Sequence, residues 1–406
     1  MTNRMHNVRL YPNKKQESQI NINISCSRFI YNIMLTEHID VYNQLQDDKE
    51  ALYAYKYKKV SEYKLQFPWL KEASSWALSE SRRNLDKAYK NFYKGIRQNS
   101  RTGKPKFKSK KLARWSYTEC QNNGGIHVKG TRIKLLKMGW VSFRGLSDNF
   151  QGVIKAVTVT KTRTNKYLAS ILVECDDVKK ERVSDNIIGI DLGLKELAVC
   201  SNGEFITGIK DKMTEIENRI KTQQRHLSRK KLGSNRYKRC KLQLDKLWEY
   251  RGNYLSHFQW HLVNKLCSEN QAIGIETLNI SGMKKNRKLA RAIQNINWGS
   301  LVCKLEQKAI EYGTLVYKID MWFPSTKLCS RCGALRDMDL RDRIYSCGCG
   351  NEMDRDFNAS INICNEMLNN ISLKYSDYRR GETIRPVRLD YVDNGSFVEA
   401  FIIKEM

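Results

Sequence analysis

Residues 186–205 read NIIGIDLGLKELAVCSNGEF. The run Asn186–Ile190 is apolar enough for a short buried strand, and it ends directly in a carboxylate, Asp191. Gly193 permits a tight turn, ELAVCS reads as a second strand, and Asn202-Gly203 is a two-residue hairpin signal leading into EFITGI. The stretch predicts a three-stranded antiparallel meander with an acidic residue closing its first strand.

That carboxylate sits in a chain of 406 residues in which Lys and Arg outnumber Asp and Glu by 72 to 43, a net charge of +29. So large an excess favours a polyanion, whose condensed counterions are released when a basic surface binds it. Nucleic acid is the expected partner. With five Pro, 41% apolar and 28% charged residues, the composition is that of an ordered chain long enough for several domains. No apolar run approaches the roughly 20 residues of a spanning helix, and MTNRMHNVRLYPNKK lacks a secretory leader's apolar stretch. A cytoplasmic protein is expected. Eight of the twelve cysteines are scattered singly, as in reduced proteins rather than disulfide frameworks.

From Gln16 to Gly95 apolar residues recur at helical spacing, as in WALSESRRNLDKAYKNFYKGI. RQNSRTGKPKFKSKKLARW then breaks the pattern. Short alternating runs follow from Ser116 to Glu174, including GIHVKG, RIKLL and KAVTVTKTRTNKYLASILVE, with Thr162–Lys166 as a hairpin turn. These predict a small β-barrel or sandwich; the strand-like opening HNVRLYP joins it, which makes the helical part an insertion. After the meander comes a charged helical region, Lys210 to about Cys267, interrupted near KLGSNRY. Its Arg225, Arg229, Lys230, Lys231 and Arg236 are too dense for an ordinary solvated face and predict a nucleic-acid groove.

A meander whose first strand ends in Asp is how folds of the RNase H type begin. A second apolar strand, QAIGIE, ends in Glu276, and in DRDFNASINICNEML either Asp354 or Asp356 opens a helix with Phe357, Ile361 and Cys364 on its apolar face. Three such carboxylates suit two divalent cations: hard Mg²⁺ prefers oxygen ligands, and paired metals stabilise the attacking and leaving oxygens of phosphodiester hydrolysis. The metals also explain acid in a basic channel. Singly, each has a plain structural reading: Asp191 a turn cap, Glu276 a lysine partner, Asp356 a helix N-cap.

The remaining four cysteines are Cys329 and Cys332 in CSRC, then Cys347 and Cys349 in CGCG. Two close thiolate pairs suit tetrahedral Zn²⁺, with Gly333 and Gly350 supplying the turns, and four thiolates leave no open position, so a structural ion is expected. The second pair has one intervening residue where two are commoner. His257 and His261, four apart on a helix, lack an acidic third ligand and read as packing or surface. Trp248, Trp260 and Trp298 could stack on bases, but core is the better reading of each. The segment after Leu373 has no clear periodicity.

Taken together, GIDLGLKELAVCSNGE, IGIETLNISGMKKNRKLARAI with Trp298, WFPSTKLCSRCG and YSCGCGNEMDRDFNASINI resemble the TnpB family, the compact RNA-guided nucleases of insertion sequences, and are similar to the miniature type V CRISPR effectors. Weaker matches, among them RLYPNKKQ, RFIYN, GKPKFKSKK and LSRKKLGSNRYKR, extend the resemblance over most of the chain.

The resemblance implies a multidomain α/β protein. A RuvC-like (RNase H-like) nuclease would occupy 186–324 and 354–372, interrupted by a zinc-ribbon insertion for target nucleic acid at 325–353. An N-terminal wedge-like β-barrel, 1–15 and 103–185, would carry a helical recognition domain at 16–102, leaving a C-terminal tail at 373–406. The metal ligands implied are Asp191, Glu276 and, within DRDFN, Asp356. Lys284, Lys285 and Lys327 join the expected nucleic-acid contacts, and the helix around Ser75, Trp76, Ser79 and Glu80 is a candidate for reading a short flanking motif, against ordinary helix surface. The activity implied is RNA-guided DNA cleavage with two Mg²⁺, a structural Zn²⁺, guide RNA and double-stranded target DNA, by a monomer with its RNA. A silenced repressor, a transposase with the same triad and a plain zinc-ribbon nucleic-acid binder are the rival readings.

Overall fold

The computed structural model describes residues 2–55, 57–99, 102–110, 115–121, 125–146, 152–176, 180–339, 342–378, 386–389 and 398–401. The chain divides into two compact units, Met1–Asp177 and Val178–Met406. Among the described residues no helix is long and apolar enough to cross a membrane.

In the first unit β1 (Thr2–Tyr11) is followed by α1 (Lys14–Leu45), α2 (Lys49–Ala54), α3 (Val60–Gln66) and α4 (Ser75–Arg97). The strands β2 (Ser116–Cys120), β3 (His127–Lys129), β4 (Arg132–Leu135), β5 (Gly139–Arg144), β6 (Val153–Lys161) and β7 (Tyr167–Cys175) complete it. They form one seven-stranded antiparallel sheet in the order β2-β6-β7-β1-β5-β4-β3. The opening strand thus lies inside the sheet, and the helices are inserted between β1 and β2. Pairing within the described residues leaves β2 and β3 as its ends. Alternation sets its buried face: Tyr167, Ala169, Ile171 and Val173 of β7 point inward, with Leu168 outward. Asn13 starts α1 through a capping box in which its side chain accepts from the Gln16 N–H and the Gln16 side chain accepts from the Asn13 N–H. The helices share a separate core of Ile30, Met34, Leu35, Leu70, Leu78 and Leu85.

One inward position of β2 breaks the apolar rule. Glu119 is fully buried, and its Oε2 accepts from the Leu136 N–H at 3.2 Å. Burial pushes its carboxyl up to about 7, against the opposing Leu136 N–H and Ser74 hydroxyl. A raised acid favours folding fully below the ordinary carboxylate range, and that contribution is lost as pH rises through about 7. Glu119→Gln is therefore expected to leave the thermal midpoint unchanged at pH 5 and to raise stability by about 2 kcal/mol at pH 8, read by calorimetry at both pH values.

The second unit opens with β8 (Asn186–Asp191), β9 (Ala198–Cys200) and β10 (Phe205–Ile206), then α5 (Ile209–Ser228) and α6 (Asn235–Glu269). There follow β11 (Asn270–Glu276), α7 (Ile280–Met283), α8 (Arg287–Ile296), α9 (Trp298–Tyr312), β12 (Leu315–Ile319), β13 (Ile344–Ser346), β14 (Glu352–Asp354), α10 (Arg355–Tyr378) and a hairpin of β15 (Pro386–Leu389) and β16 (Val398–Phe401). The main sheet runs β10-β9-β8-β11-β12, with β8, β11 and β12 parallel and the meander antiparallel. Residues 180–185, expected with the first sheet, are tied to this unit instead: Val183 donates to the Ser268 carbonyl, and Arg182 to the carbonyls of Tyr312 and Gly313. The segment expected as a tail begins inside α10 and includes the β15–β16 hairpin; its residues 379–385, 390–397 and 402–406 lie outside the described residues.

Two similar strand sequences decide how this sheet is covered. IIGID of β8 and AIGIE of β11 pair in register, Ile188 with Ile273, Gly189 with Gly274 and Ile190 with Ile275. The isoleucines Ile188, Ile190, Ile273 and Ile275 face one way, into a core built with Leu262, Val263 and Leu266 of α6 and Leu301 and Leu305 of α9. Ile187 and Ala272 face the other way and pack with Cys364, Met367 and Leu368 of α10. The paired glycines lie on that second face and let α10 approach the backbone. A Cβ on Gly189 would sit 2.2 Å from the Ser360 carbonyl oxygen and 2.5 Å from the Cys364 nitrogen, and one on Gly274 3.2 Å from the Ile363 carbonyl oxygen.

Candidate active site and cysteine cluster

The same alternation places the carboxylates. One residue beyond the paired Ile190 and Ile275, Asp191 and Glu276 end neighbouring parallel strands and point to the face covered by α10. Asp191 is 8% exposed, and Glu276 accepts from the Leu192 N–H at 3.4 Å. α10 begins at the same edge. Its cap is Asp354, whose Oδ1 accepts from the N–H groups of Asp356 and Phe357 at 2.9 and 3.1 Å. With Asp354 as the cap, the Asp356 side chain is not engaged in capping the helix.

Electrostatics ties the three together. Burial holds the Asp191 carboxyl well above the usual range, and the charges of Glu276 and Asp356 raise it further against the pull of Arg355. Burial likewise raises Glu276 to about 7, with the Leu192 N–H and Asp191 opposing and the Asp356 charge adding to the rise. Asp356 is held differently. Arg355 donates through Nε and Nη2 to its Oδ1 at 3.2 Å, and Arg343 Nη1 lies 3.9 Å from its Oδ2. These arginines come from the α10 N-terminus and from the segment before β13. Among the described residues, the three carboxylates do not reach the mutual closeness of the cysteine cluster.

The thiols of Cys329, Cys332, Cys347 and Cys349 all lie within 4.8 Å of one another, the one such group of potential metal ligands among the described residues. Cys329 and Cys349 sulfurs are 3.7 Å apart, those of Cys332 and Cys347 3.6 Å. Four sulfurs at about 2.3 Å from a tetrahedral zinc would stand about 3.8 Å apart. The single-residue spacing of the second pair therefore brings both thiols to the cluster. The turn Cys347–Gly350 closes through the Gly350 N–H to the Cys347 carbonyl, as the first pair closes through the Gly333 N–H to the Cys329 carbonyl, with both glycines at positive φ. For Cys329 burial raises the thiol, but the N–H groups of Cys332 and Arg331 and the Asn351 amide outweigh it, and the thiol falls to about 6.

The cluster is fastened to the carboxylate site by residues that periodicity did not single out. Asn358 and Asn362, one turn apart on α10 and fully buried, reach back to the chain before the first cysteine pair. Asn358 Nδ2 donates to the Leu328 carbonyl at 2.7 Å while its Oδ1 accepts from the Ser330 N–H; Asn362 Nδ2 donates to the Ser325 and Leu328 carbonyls at 2.8 and 2.7 Å. Two asparagines at i and i+4 on an otherwise apolar helix face were the available signal.

The basic residues divide. Arg225, Arg229, Lys230, Lys231 and Arg236 gather at the exposed turn between α5 and α6 with no carboxylate at ion-pair distance among the described residues. Lys284 and Lys285 are exposed after α7. Lys327 pairs with Asp337 at 2.7 Å, and Arg291 of α8 pairs with Glu217 at 3.3 Å. On α4 Ser75 is exposed and Trp76, Ser79 and Glu80 are half-buried; Ser75 accepts from Lys64, and Glu80 from Arg83 and Cys120. His257 and His261 are both exposed. Trp298 is core, but the core reading fails for Trp248 and Trp260, which are 46% and 38% exposed with Arg251 and Lys304 over their rings.

Comparison with known proteins supplies the family. Residues 170–287 match the IS605 OrfB family, described as "Probable transposase"; residues 298–363 match "Cas12f1-like, TNB domain"; residues 1–47 match "Helix-turn-helix domain". That last segment holds one strand and one helix here, β1 and α1. A protein of Streptomyces pristinaespiralis named "Putative RNA-guided DNA endonuclease" is 31% identical over 368 residues, covering 89% of this chain and 88% of its own. A protein of Escherichia coli (strain K12), whose name adds InsQ to the same words, is 27% identical over 344 residues, 80% of this chain and 82% of its own. A chain of the solved Cas12f1-sgRNA-target DNA complex aligns with 91% of this chain and 100% of its own at 16% identity, with a TM-score of 0.35. The chain belongs to the TnpB family of IS605 OrfB proteins.

Proposed function

We propose that the protein is an RNA-guided DNA endonuclease that cuts target DNA beside a short flanking motif. The observation that carries the reading is the convergence of Asp191, Glu276 and Asp356 at one strand edge of a chain with net charge +29. Three carboxylates crowded until two resist ionisation are a donor set short of positive charge, and hard divalent cations such as two Mg²⁺ fit it. When bound, the ions polarise the scissile phosphodiester and stabilise its attacking and leaving oxygens. Asp191 and Glu276 fix the site to rigid strand ends, and Asp356, freed from its arginines, closes it from α10. Arg343 and Arg355 are then placed to meet phosphate charge.

On this reading the second unit is RNase H-like, of the RuvC kind, at 186–324 and 354–372, with a zinc ribbon at 325–353 that binds target nucleic acid. The first unit is a wedge-like barrel carrying a helical recognition domain at 16–102, and Ser75, Trp76, Ser79 and Glu80 face the flanking motif. The cations of the α5–α6 turn, with Lys284 and Lys285, hold the guide RNA and its heteroduplex by backbone charge, pairing supplying the sequence. The protein works in the cytoplasm as a monomer with its RNA.

The test is to purify the protein with RNA from its own locus, sequence that RNA, and offer the complex a guide-matched target with randomised flanks and Mg²⁺. Cutting beside one flank is expected. DNA joining without RNA would instead support a transposase.

Cys329, Cys332, Cys347 and Cys349 would hold one structural Zn²⁺. One zinc per chain is expected by elemental analysis, and Cys349→Ser should lower that content, melt the insertion and reduce cutting at least tenfold, since Asn358 and Asn362 join it to the helix of Asp356.

A further inference from the structure

The loop leaving β12 carries a side chain that the site described so far does not use. Trp322 is 81% exposed, the most exposed aromatic side chain among the described residues; the next, Phe107, is 56%. Its surroundings are ordered. The Trp322 N–H donates to Asp320 Oδ1 at 2.7 Å, the Phe323 N–H to the Asp320 carbonyl at 3.2 Å, and the Ser325 carbonyl accepts from the Asn362 amide of α10 at 2.8 Å. The turn therefore presents the indole on a hydrogen-bonded backbone with its ring open to solvent.

Its place is set by register. β12 ends at Ile319, which pairs with Glu276. Trp322 follows three residues later, within about 11 Å of Ile319 along the chain, and Ile319 lies about 4.8 Å from Glu276 across the parallel pair. The turn that carries Trp322 thus follows the strand edge that holds the carboxylates, and no ring or cation packs on the indole among the described residues.

We infer that Trp322 is a stacking platform for an unpaired nucleobase of the DNA strand being cut, a positioning residue that fixes the strand beside the scissile phosphodiester. This rests on the nuclease reading above. Stacking suits the task because every base has a π-face, so one indole can hold any sequence that the guide delivers. Stacking of one base predicts about a 5- to 100-fold loss when the ring is removed.

The experiment uses the full chain with its guide RNA and target DNA carrying 2-aminopurine at successive positions of the cut strand, comparing the wild type with Trp322→Ala and Trp322→Phe. In the wild type, fluorescence should be quenched at one or two positions next to the cut. Trp322→Ala should restore it and slow cutting 5- to 100-fold, while Trp322→Phe keeps the quenching and cuts within about threefold of wild type. Because the side chain is exposed, the thermal midpoint should stay unchanged in both. A wild type that cuts with the same quenching and rate as Trp322→Ala would overturn the inference alone, as would quenching at no position of the cut strand near the cut. A wild type that binds guide and target yet never cuts would overturn the nuclease reading itself.

Discussion

Replacing Asp191 with Asn is expected to lower DNA cleavage by on the order of a thousandfold while guide-dependent DNA binding persists. The same substitution should make the protein more stable when no Mg²⁺ is added. Burial and the charges of Glu276 and Asp356 hold Asp191 well above the usual carboxylate range. Its contribution to folding is fully present below that range and is lost as pH rises, so above that range the native protein bears a cost at Asp191 that Asn lacks. Added Mg²⁺ should raise the thermal midpoint of the wild type more than that of Asp191→Asn. A turn-capping role predicts the reverse, a less stable variant. Binding, cutting and calorimetry on one pair of proteins separate the two.

Gly189→Ala should be the most damaging small substitution in the second unit. The added Cβ would meet the Ser360 carbonyl oxygen at 2.2 Å and the Cys364 nitrogen at 2.5 Å, both backbone atoms of α10. Neither can swing aside as a side chain could, so the helix must lift from the sheet. Overpacking of this kind costs about 3 kcal/mol or more. Activity should fall further than stability, because α10 carries Asp356 and, through Asn358 and Asn362, the cysteine insertion. Gly274→Ala, whose Cβ would be 3.2 Å from the Ile363 carbonyl oxygen, should be milder. Denaturation midpoints for the two variants, with cleavage rates at a temperature where both remain folded, check the order.

Much of this site was legible because its logic is local. A buried strand that ends in an acidic residue, written twice as IIGID and AIGIE, already contains the alternation that turns both carboxylates to one face. The thiol pairs were legible for the same reason. What stayed hidden depends on residues distant in sequence. Nothing near Arg343 indicates that it approaches Asp356, and periodicity cannot say that Asp354 rather than Asp356 caps α10. Trp248 and Trp260 were misjudged because α6 is 35 residues long and only part of its surface is covered by the core, leaving aromatic side chains beneath cations at the surface. The connection at 180–185 was misplaced because its anchors, Ser268, Tyr312 and Gly313, lie far along the chain.

The central claim is that a bound RNA directs the Asp191 site to DNA. The most direct measurement loads the protein with either of two unrelated guides and offers each complex both matching plasmids, with Mg²⁺ and one common flank. Each complex should cut only its own plasmid, and neither should cut when Asp191 is Asn. Equal cutting of both plasmids by each complex, or guide-matched cutting that survives Asp191→Asn, would contradict it.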